Sequence, residues 1–407
     1  HRTVTLPPRG TLLASDGMPL AQGPLRSSPI PDVAGEIVGT VGAIPAAEAA
    51  RYAGRGYPAS AQVGLDGLER IFQARLAGSP GGRLLAGRRL LATAAPVQSP
   101  PVKTTISPGL ERAAIGALGG TYAGMAVMNP RTGGILALAG IAFSALQPPG
   151  STMKIITATG ALQAGITKLS TTYPVQTAAT IDGFSLQNAN GEACGGTLLI
   201  SFAKSCNSVF APLGVKLGAG RLVATAERFG FNQPSSIPGA AESTIPSAAT
   251  IGSALAIGSS AIGQGLVQST PLQMADVAAT IAMGGRRPIP TLLAHQRPHF
   301  VHVTSHHVAR EVQRMMIAVV QIGTGTSAQI PGVTVAGKTG TAELRNSVPA
   351  TSSKASSGQN TDAWFVGYAP VGRPRLVVGA LFPNAGFGGT TAAPPVRDVL
   401  AAGLHHA

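Results

Sequence analysis

The sequence predicts an α/β chain in two parts: a small irregular N-terminal domain, then one antiparallel sheet covered by helices and interrupted by a large helical insertion. Three observations carry this. A hairpin pattern occurs early, with Tyr122–Met128 and Gly134–Ala139 flanking the turn Asn129-Pro130-Arg131-Thr132-Gly133. Ala- and Leu-rich stretches from residue 151 to about 330 read as mostly helical, broken by glycines and by a Pro/Ser-rich loop from Pro234 to Pro246. Strand patterns then return at Val333–Glu343, Ala363–Ala369 and Arg375–Phe382, followed by a helix from Pro395 to Leu404. An early hairpin, late strands and a terminal helix fit a single sheet.

Residues 1–105 differ in texture and form the first domain, with 106–407 as the second. Gly10-Thr11-Leu12-Leu13-Ala14 reads as a strand leading to the turn Ser15-Asp16-Gly17. Leu65, Leu68, Ile71, Phe72 and Leu76 have helical spacing, which predicts a helix over Leu65–Leu76. Arg83–Pro101 reads as strand and linker. Ser107 and Pro108 open a helix through Leu118. Between two late strands, the polar segment 344–361 carries Ser347, Ser352, Ser353, Ser356 and Ser357, and reads either as a mobile loop or as a lid.

Composition narrows the classes. The 407 residues are 44% hydrophobic and 11% charged, with a formal charge of +14. No basic helix, aromatic stacking motif or zinc-finger spacing accompanies that charge, so nucleic acid is not an expected partner; anionic lipids or cell-wall polymers suit it better. No apolar run approaches the ~18 residues of a membrane span. The longest, Ile135–Leu146, is interrupted by Gly140 and Ser144. The chain begins at His1, not Met, so any signal or anchor is expected before it. The only cysteines, Cys194 and Cys206, read as two reduced core residues in a cytosolic protein or as a disulfide in an exported one. His295, His299, His302, His306 and His307 cluster without cysteine or acidic ligand spacing and read as surface residues, with no metal expected. Gly258–Gly265 lacks a phosphate-loop lysine and reads as helix packing or a turn.

The chemically informative stretch is Pro148-Pro149-Gly150-Ser151-Thr152-Met153-Lys154, followed by an apolar run. The prolines and glycine end what precedes them, placing Ser151 in the first turn of a new helix with Lys154 on the same face. Burial disfavours an ammonium, and a neutral amine can take a serine's proton. Ser-x-x-Lys alone is a weak signal. Two further motifs follow in order: Ser205-Cys206-Asn207 in the helical region, and Lys338-Thr339-Gly340-Thr341 in a strand.

This ordered set resembles the class B penicillin-binding proteins, the peptidoglycan D,D-transpeptidases. The resemblance extends to Arg9-Gly10-Thr11-Leu12-Leu13-Ala14-Ser15-Asp16-Gly17, to Gly64-Leu65-Asp66-Gly67-Leu68-Glu69, to the hairpin Met128-Asn129-Pro130 through Gly133-Gly134-Ile135-Leu136-Ala137, and to Ala363-Trp364-Phe365-Val366-Gly367-Tyr368-Ala369-Pro370. It covers 105–407 strongly and 1–105 patchily, and looks closest to actinobacterial, lipoprotein-like members. The chain departs from the family between Ala21 and Gly39, where the N-terminal pedestal or dimerisation-like module is short, and at Cys206, where relatives carry Asp or Ser.

The resemblance implies a penicillin-binding transpeptidase fold of β-lactamase type and a role for each motif residue. Ser151 would be the nucleophile, Lys154 its base, Ser205 the proton route to the leaving amine, coupled to Lys154 and Lys338, and Asn207 a substrate and Lys154 ligand. Thr339, Gly340 and Thr341 would bind the substrate, with the Ser151 and Thr341 amides as oxyanion hole, and Cys206 would pair with Cys194. It implies D-Ala-D-Ala stem peptides as acyl donors, an amine of a neighbouring stem peptide as acceptor, and β-lactams as inhibitors. A carboxypeptidase side activity, membrane-bound glycosyltransferase, division or elongation partners, and an extracytoplasmic, membrane-anchored location also follow. No cofactor is implied. The alternatives are a serine β-lactamase, a β-lactam sensor and a non-catalytic division scaffold. A class A β-lactamase uses a glutamate between the second and third motifs, but Glu227 and Glu242 lack the Glu-x-x-x-Asn context.

Overall fold

The computed structural model describes residues 1–343 and 361–405; the Ser-rich 344–361 loop falls, but for Thr361, outside them. The chain divides into two compact units, His1–Arg112 with Ile237–Gly239 and Leu292–Gln296, and the remainder from Ala113.

The first unit is assembled from short pieces. Strands Arg2–Thr5, Gly81–Ala86 and Arg89–Ala94 form an antiparallel sheet. Leu12–Leu13 pairs with Pro19–Ala21 and, in parallel, with Val102–Lys103. The expected helix over Leu65–Leu76 starts later and is broken. It runs over Gly67–Ile71 and Gln73–Leu76, interrupted at Phe72 (φ −99°, ψ 16°). Asp66 is extended and its carboxylate accepts the Thr40 amide at 2.5 Å, so the first residues serve a turn. Two signatures far apart in sequence meet here. The fully buried Glu69 carboxylate accepts from Arg9 at 2.5 Å and from Arg26 at 2.7 Å. Arg9 also donates to Gln73 Oε1 at 2.8 Å and to the Glu69 carbonyl at 2.9 Å. A Cβ at Gly64 would lie 2.2 Å from the Glu69 carbonyl, which is why that strand approaches the helix only as glycine.

In the second unit, one sheet holds strands β1 (Gly124–Met128), β2 (Ile135–Gly140), β3 (Ala336–Glu343), β4 (Thr361–Ala369) and β5 (Leu376–Phe382), all antiparallel in the order β2-β1-β5-β4-β3. Every residue of β1, β4 and β5 is buried, so apart from Thr361 and Asp362 at the start of β4 these strands read as apolar runs and not as alternating ones. The principal helices are α1 (Lys154–Gln163), α2 (Leu198–Ala203), α3 (Asn207–Leu217), α4 (Pro271–Ala282), α5 (His306–Ile322) and α6 (Ala393–His405). Helix α4 packs closely on β5: a Cβ on Gly379 would be 2.3 Å from the Pro271 carbonyl. The insertion is less purely helical than expected. Thr172–Gln176 pairs with Cys194–Thr197, and Ala178–Ile181 pairs with Phe184–Gln187. Asp182 and Gly183, with φ of +52° and +79°, close the second pair in the left-handed conformation that an Asp-Gly turn favours.

Removing Glu69 would leave two largely buried guanidinium groups unpaired. Glu69→Ala is therefore expected to lower unfolding stability by about 3–5 kcal/mol in urea denaturation, and Glu69→Gln by less.

Candidate active site

Gly150 takes φ +53° and donates its N–H to the Gly263 carbonyl at 2.9 Å, turning the chain into a 3₁₀ turn over Gly150–Met153 that runs into α1. The Thr152 hydroxyl donates to the Pro149 carbonyl at 2.7 Å. Ser151 is half-buried, while Lys154 through Leu162 are all buried, as a helix at the centre of a domain must be.

The three motifs converge. Lys154 Nζ lies 2.9 Å from Ser151 Oγ, 2.7 Å from the Ser205 carbonyl, 2.6 Å from Asn207 Oδ1 and 3.3 Å from Ser205 Oγ. Lys338 Nζ reaches the same Ser205 Oγ at 2.9 Å and its neighbour's Thr339 carbonyl at 3.1 Å. One hydroxyl thus bridges two amines. Ser205 sits between α2 and α3 with φ +63°, a conformation that costs a serine about 1–3 kcal/mol and persists only where surroundings impose it. The next residue supplies one constraint, since Cys206 is disulfide-bonded to Cys194. Asn207 is oriented by donating from Nδ2 to the Gln187 carbonyl at 2.7 Å.

Both lysines are fully buried. The rings of Phe210 and Phe202 stand 5.8 Å from Lys154 Nζ and 5.5 Å from Lys338 Nζ. Among the described residues, no carboxylate pairs with either amine. Burial, with Lys338's charge second, holds Lys154 well below the usual lysine range; burial alone lowers Lys338 to about 7. A neutral amine beside Ser151 is the form that accepts a proton.

Strand β3 is the sheet's edge. Thr339 Oγ1 lies 2.5 Å from Thr324 Oγ1, and Thr341 Oγ1 accepts from the Gly388 amide at 3.4 Å. The close approach at Gly340 is internal: an added Cβ would lie 2.8 Å from the Pro149 carbonyl and 3.0 Å from Thr152 Cγ2, so this glycine lets the Ser151 turn press on β3. Thr324, Gly388 and Gln187 join the site without any local signal in the sequence. Gly263, inside the Gly258–Gly265 stretch that reads as helix packing or a turn, lies just past a helix end and packs against the Ser151 turn. There φ is +75°, and a Cβ would lie 2.1 Å from the Gly150 carbonyl. Gly263→Ala is accordingly expected to cost at least about 1–3 kcal/mol in thermal unfolding, whereas Gly265→Ala, where the nearest atom to a Cβ is 4.0 Å away, should show only the backbone part of that cost.

The chain resembles known proteins over most of its length. Residues 123–401 match the penicillin binding protein transpeptidase domain, and residues 15–89 the penicillin-binding protein dimerisation domain. The peptidoglycan D,D-transpeptidase PbpA of Mycolicibacterium smegmatis is 33% identical over 83% of this chain and 79% of its own length. The Mycobacterium tuberculosis protein of the same name is 34% identical over 65% of this chain, a match spanning 56% of the relative. The penicillin G acyl-enzyme structure of M. tuberculosis penicillin-binding protein A superposes with a TM-score of 0.77 at 28% identity, covering 98% of this chain and 99% of that one. By domain match and by alignment with PbpA, the chain belongs to the penicillin-binding protein transpeptidase family.

Proposed function

We infer that the protein is a peptidoglycan D,D-transpeptidase that works through an acyl-Ser151 intermediate and is a target of β-lactams. The observation that carries the reading is the 2.9 Å contact between Ser151 Oγ and a fully buried, carboxylate-free Lys154. In this reading neutral Lys154 takes the Ser151 proton as Oγ bonds to the carbonyl carbon of a D-Ala-D-Ala peptide. The negative oxygen that develops is met by the Ser151 and Thr341 amides. When the C–N bond breaks, the leaving D-Ala nitrogen takes the Ser205 hydroxyl proton, which the amine pair restores from the proton gained in the first step. Asn207 holds a substrate amide. Thr339 and Thr341 hold the terminal carboxylate of a peptide lying along the open edge of β3. An amine of a second stem peptide then displaces Ser151, leaving the cross-link.

Residues 1–105 are assigned in the same proposal to the pedestal or dimerisation-like module, and 106–407 to the transpeptidase domain. The disulfide and the cell-wall relatives support an extracytoplasmic location. No single helix among the described residues is long and apolar enough to cross a membrane. Attachment through a segment or lipid N-terminal to His1 and recruitment by glycosyltransferase, division or elongation proteins belong to the proposal. A serine β-lactamase is disfavoured. Among the described residues no carboxylate hydrogen-bonds Ser151, Lys154, Ser205 or Lys338, and Glu227 instead accepts from Asn232 at 3.4 Å.

Incubation with penicillin G and intact-mass analysis should give one long-lived adduct that Ser151→Ala abolishes. Rapid adduct loss with continuous drug hydrolysis would instead identify a β-lactamase. The pH profile of acylation tests the amine pair. Below about pH 7 Lys338 is charged and disfavours protonation of Lys154. Lys338→Gln removes that repulsion, so Lys154 should hold its proton to higher pH. The acidic limb of the acylation rate should then shift upward in pH, separately from any fall in the plateau rate.

A further inference from the structure

The three-stranded sheet of Arg2–Thr5, Gly81–Ala86 and Arg89–Ala94 ends in a hairpin that, among the described residues, is left exposed. Its tip reads Leu84-Leu85-Ala86-Gly87-Arg88-Arg89-Leu90-Leu91, with Gly87 (φ +58°) at the turn. Leu84, Leu90 and Leu91 are 45%, 51% and 54% exposed, and every residue of Arg89–Ala94 is exposed. That strand is also the free edge of its sheet. A long exposed apolar edge is an aggregation hazard unless something covers it.

Charge and direction narrow the occupant. Arg2, opposite Leu84, and Arg83, Arg88 and Arg89 are all exposed around these leucines, while 79–103 and 1–15 contain no Asp or Glu. Leu85 pairs with Leu90, and Leu84 with Ala92. Successive strand residues point to opposite faces, so the leucines project on both sides of the tip. Apolar side chains on both faces of a tip are buried together when it enters a lipid interface, which surrounds it on every side. Leucines at the acyl boundary, with guanidinium groups at the phosphates, are the arrangement that an anionic bilayer favours.

We propose that this hairpin is a lipid-contacting tip that dips into the interface of an anionic bilayer. The site is separate from the acyl-transfer centre and does not rest on that reading. The chain has one tryptophan, Trp364, which is fully buried, so Leu90→Trp supplies a reporter at the tip. With vesicles of equal parts phosphatidylglycerol and phosphatidylcholine, its emission should shift to the blue and be quenched by brominated acyl chains. In sedimentation, Arg88→Gln with Arg89→Gln should weaken vesicle binding roughly thirtyfold. Leu90→Asp with Leu91→Asp should weaken it at least about tenfold. These residues are exposed, and unchanged thermal unfolding of each variant checks the fold. Binding that survives the aspartates but not the glutamines would overturn insertion in favour of surface electrostatics. A blue shift without vesicles would overturn it in favour of contact between copies of the chain. Failure to bind the vesicles at all would also overturn it.

Discussion

The site depends on keeping two amines dry with no carboxylate between them. Lys154 and Lys338 are both fully buried and meet at the hydroxyl of Ser205. Two ammonium ions there would repel and lack solvation, so the pair sheds charge, and this makes a base available beside Ser151. An acid placed among them would favour the ammonium form and remove the base. The enclosure by Phe202 and Phe210 is therefore part of the chemistry, not only of the core.

Holding that arrangement falls to three backbone elements from distant parts of the chain. Helix α1 presents Ser151 and Lys154 through a turn pinned between Gly263 and β3. The α2–α3 junction presents Ser205 in a conformation serine does not choose by itself, and the Cys194–Cys206 bond ties that junction to the inserted strands. Strand β3 presents Lys338 from the sheet edge. The glycines at 150, 263 and 340 share one need, since backbone atoms of these elements sit where a Cβ would be, and at 150 and 263 a positive φ adds a second. The strain is local, and the buried helices and strands around it carry its cost.

The N-terminal unit uses a different economy. With short strands and broken helices it has little regular sheet, and a buried carboxylate joins its pieces: Glu69 gathers Arg9, Arg26 and, through Arg9, Gln73. An arrangement that moved Glu69 away would leave two largely buried guanidinium groups without a counter-ion.

Local chemistry is what the sequence determined by itself. Apolar period, turn residues and caps placed the β1–β2 hairpin, the late strands and the terminal helix, because continuous apolar runs and glycine turns act over a few neighbours. Spacing put Ser151 and Lys154 on one face, because three residues make a helical turn. The inserted strands are only weakly marked: Asp182-Gly183 signals their turn, but the Ala- and Leu-rich stretches around them read as helical. Tertiary structure alone decided that Lys154 and Lys338 share one hydroxyl, that Thr324 meets Thr339, that Gly263 receives Gly150, and that Glu69 faces two arginines. Those are contacts between residues far apart in the chain. Burial and amine charge state depend on everything packed around them, and no local spacing encodes that.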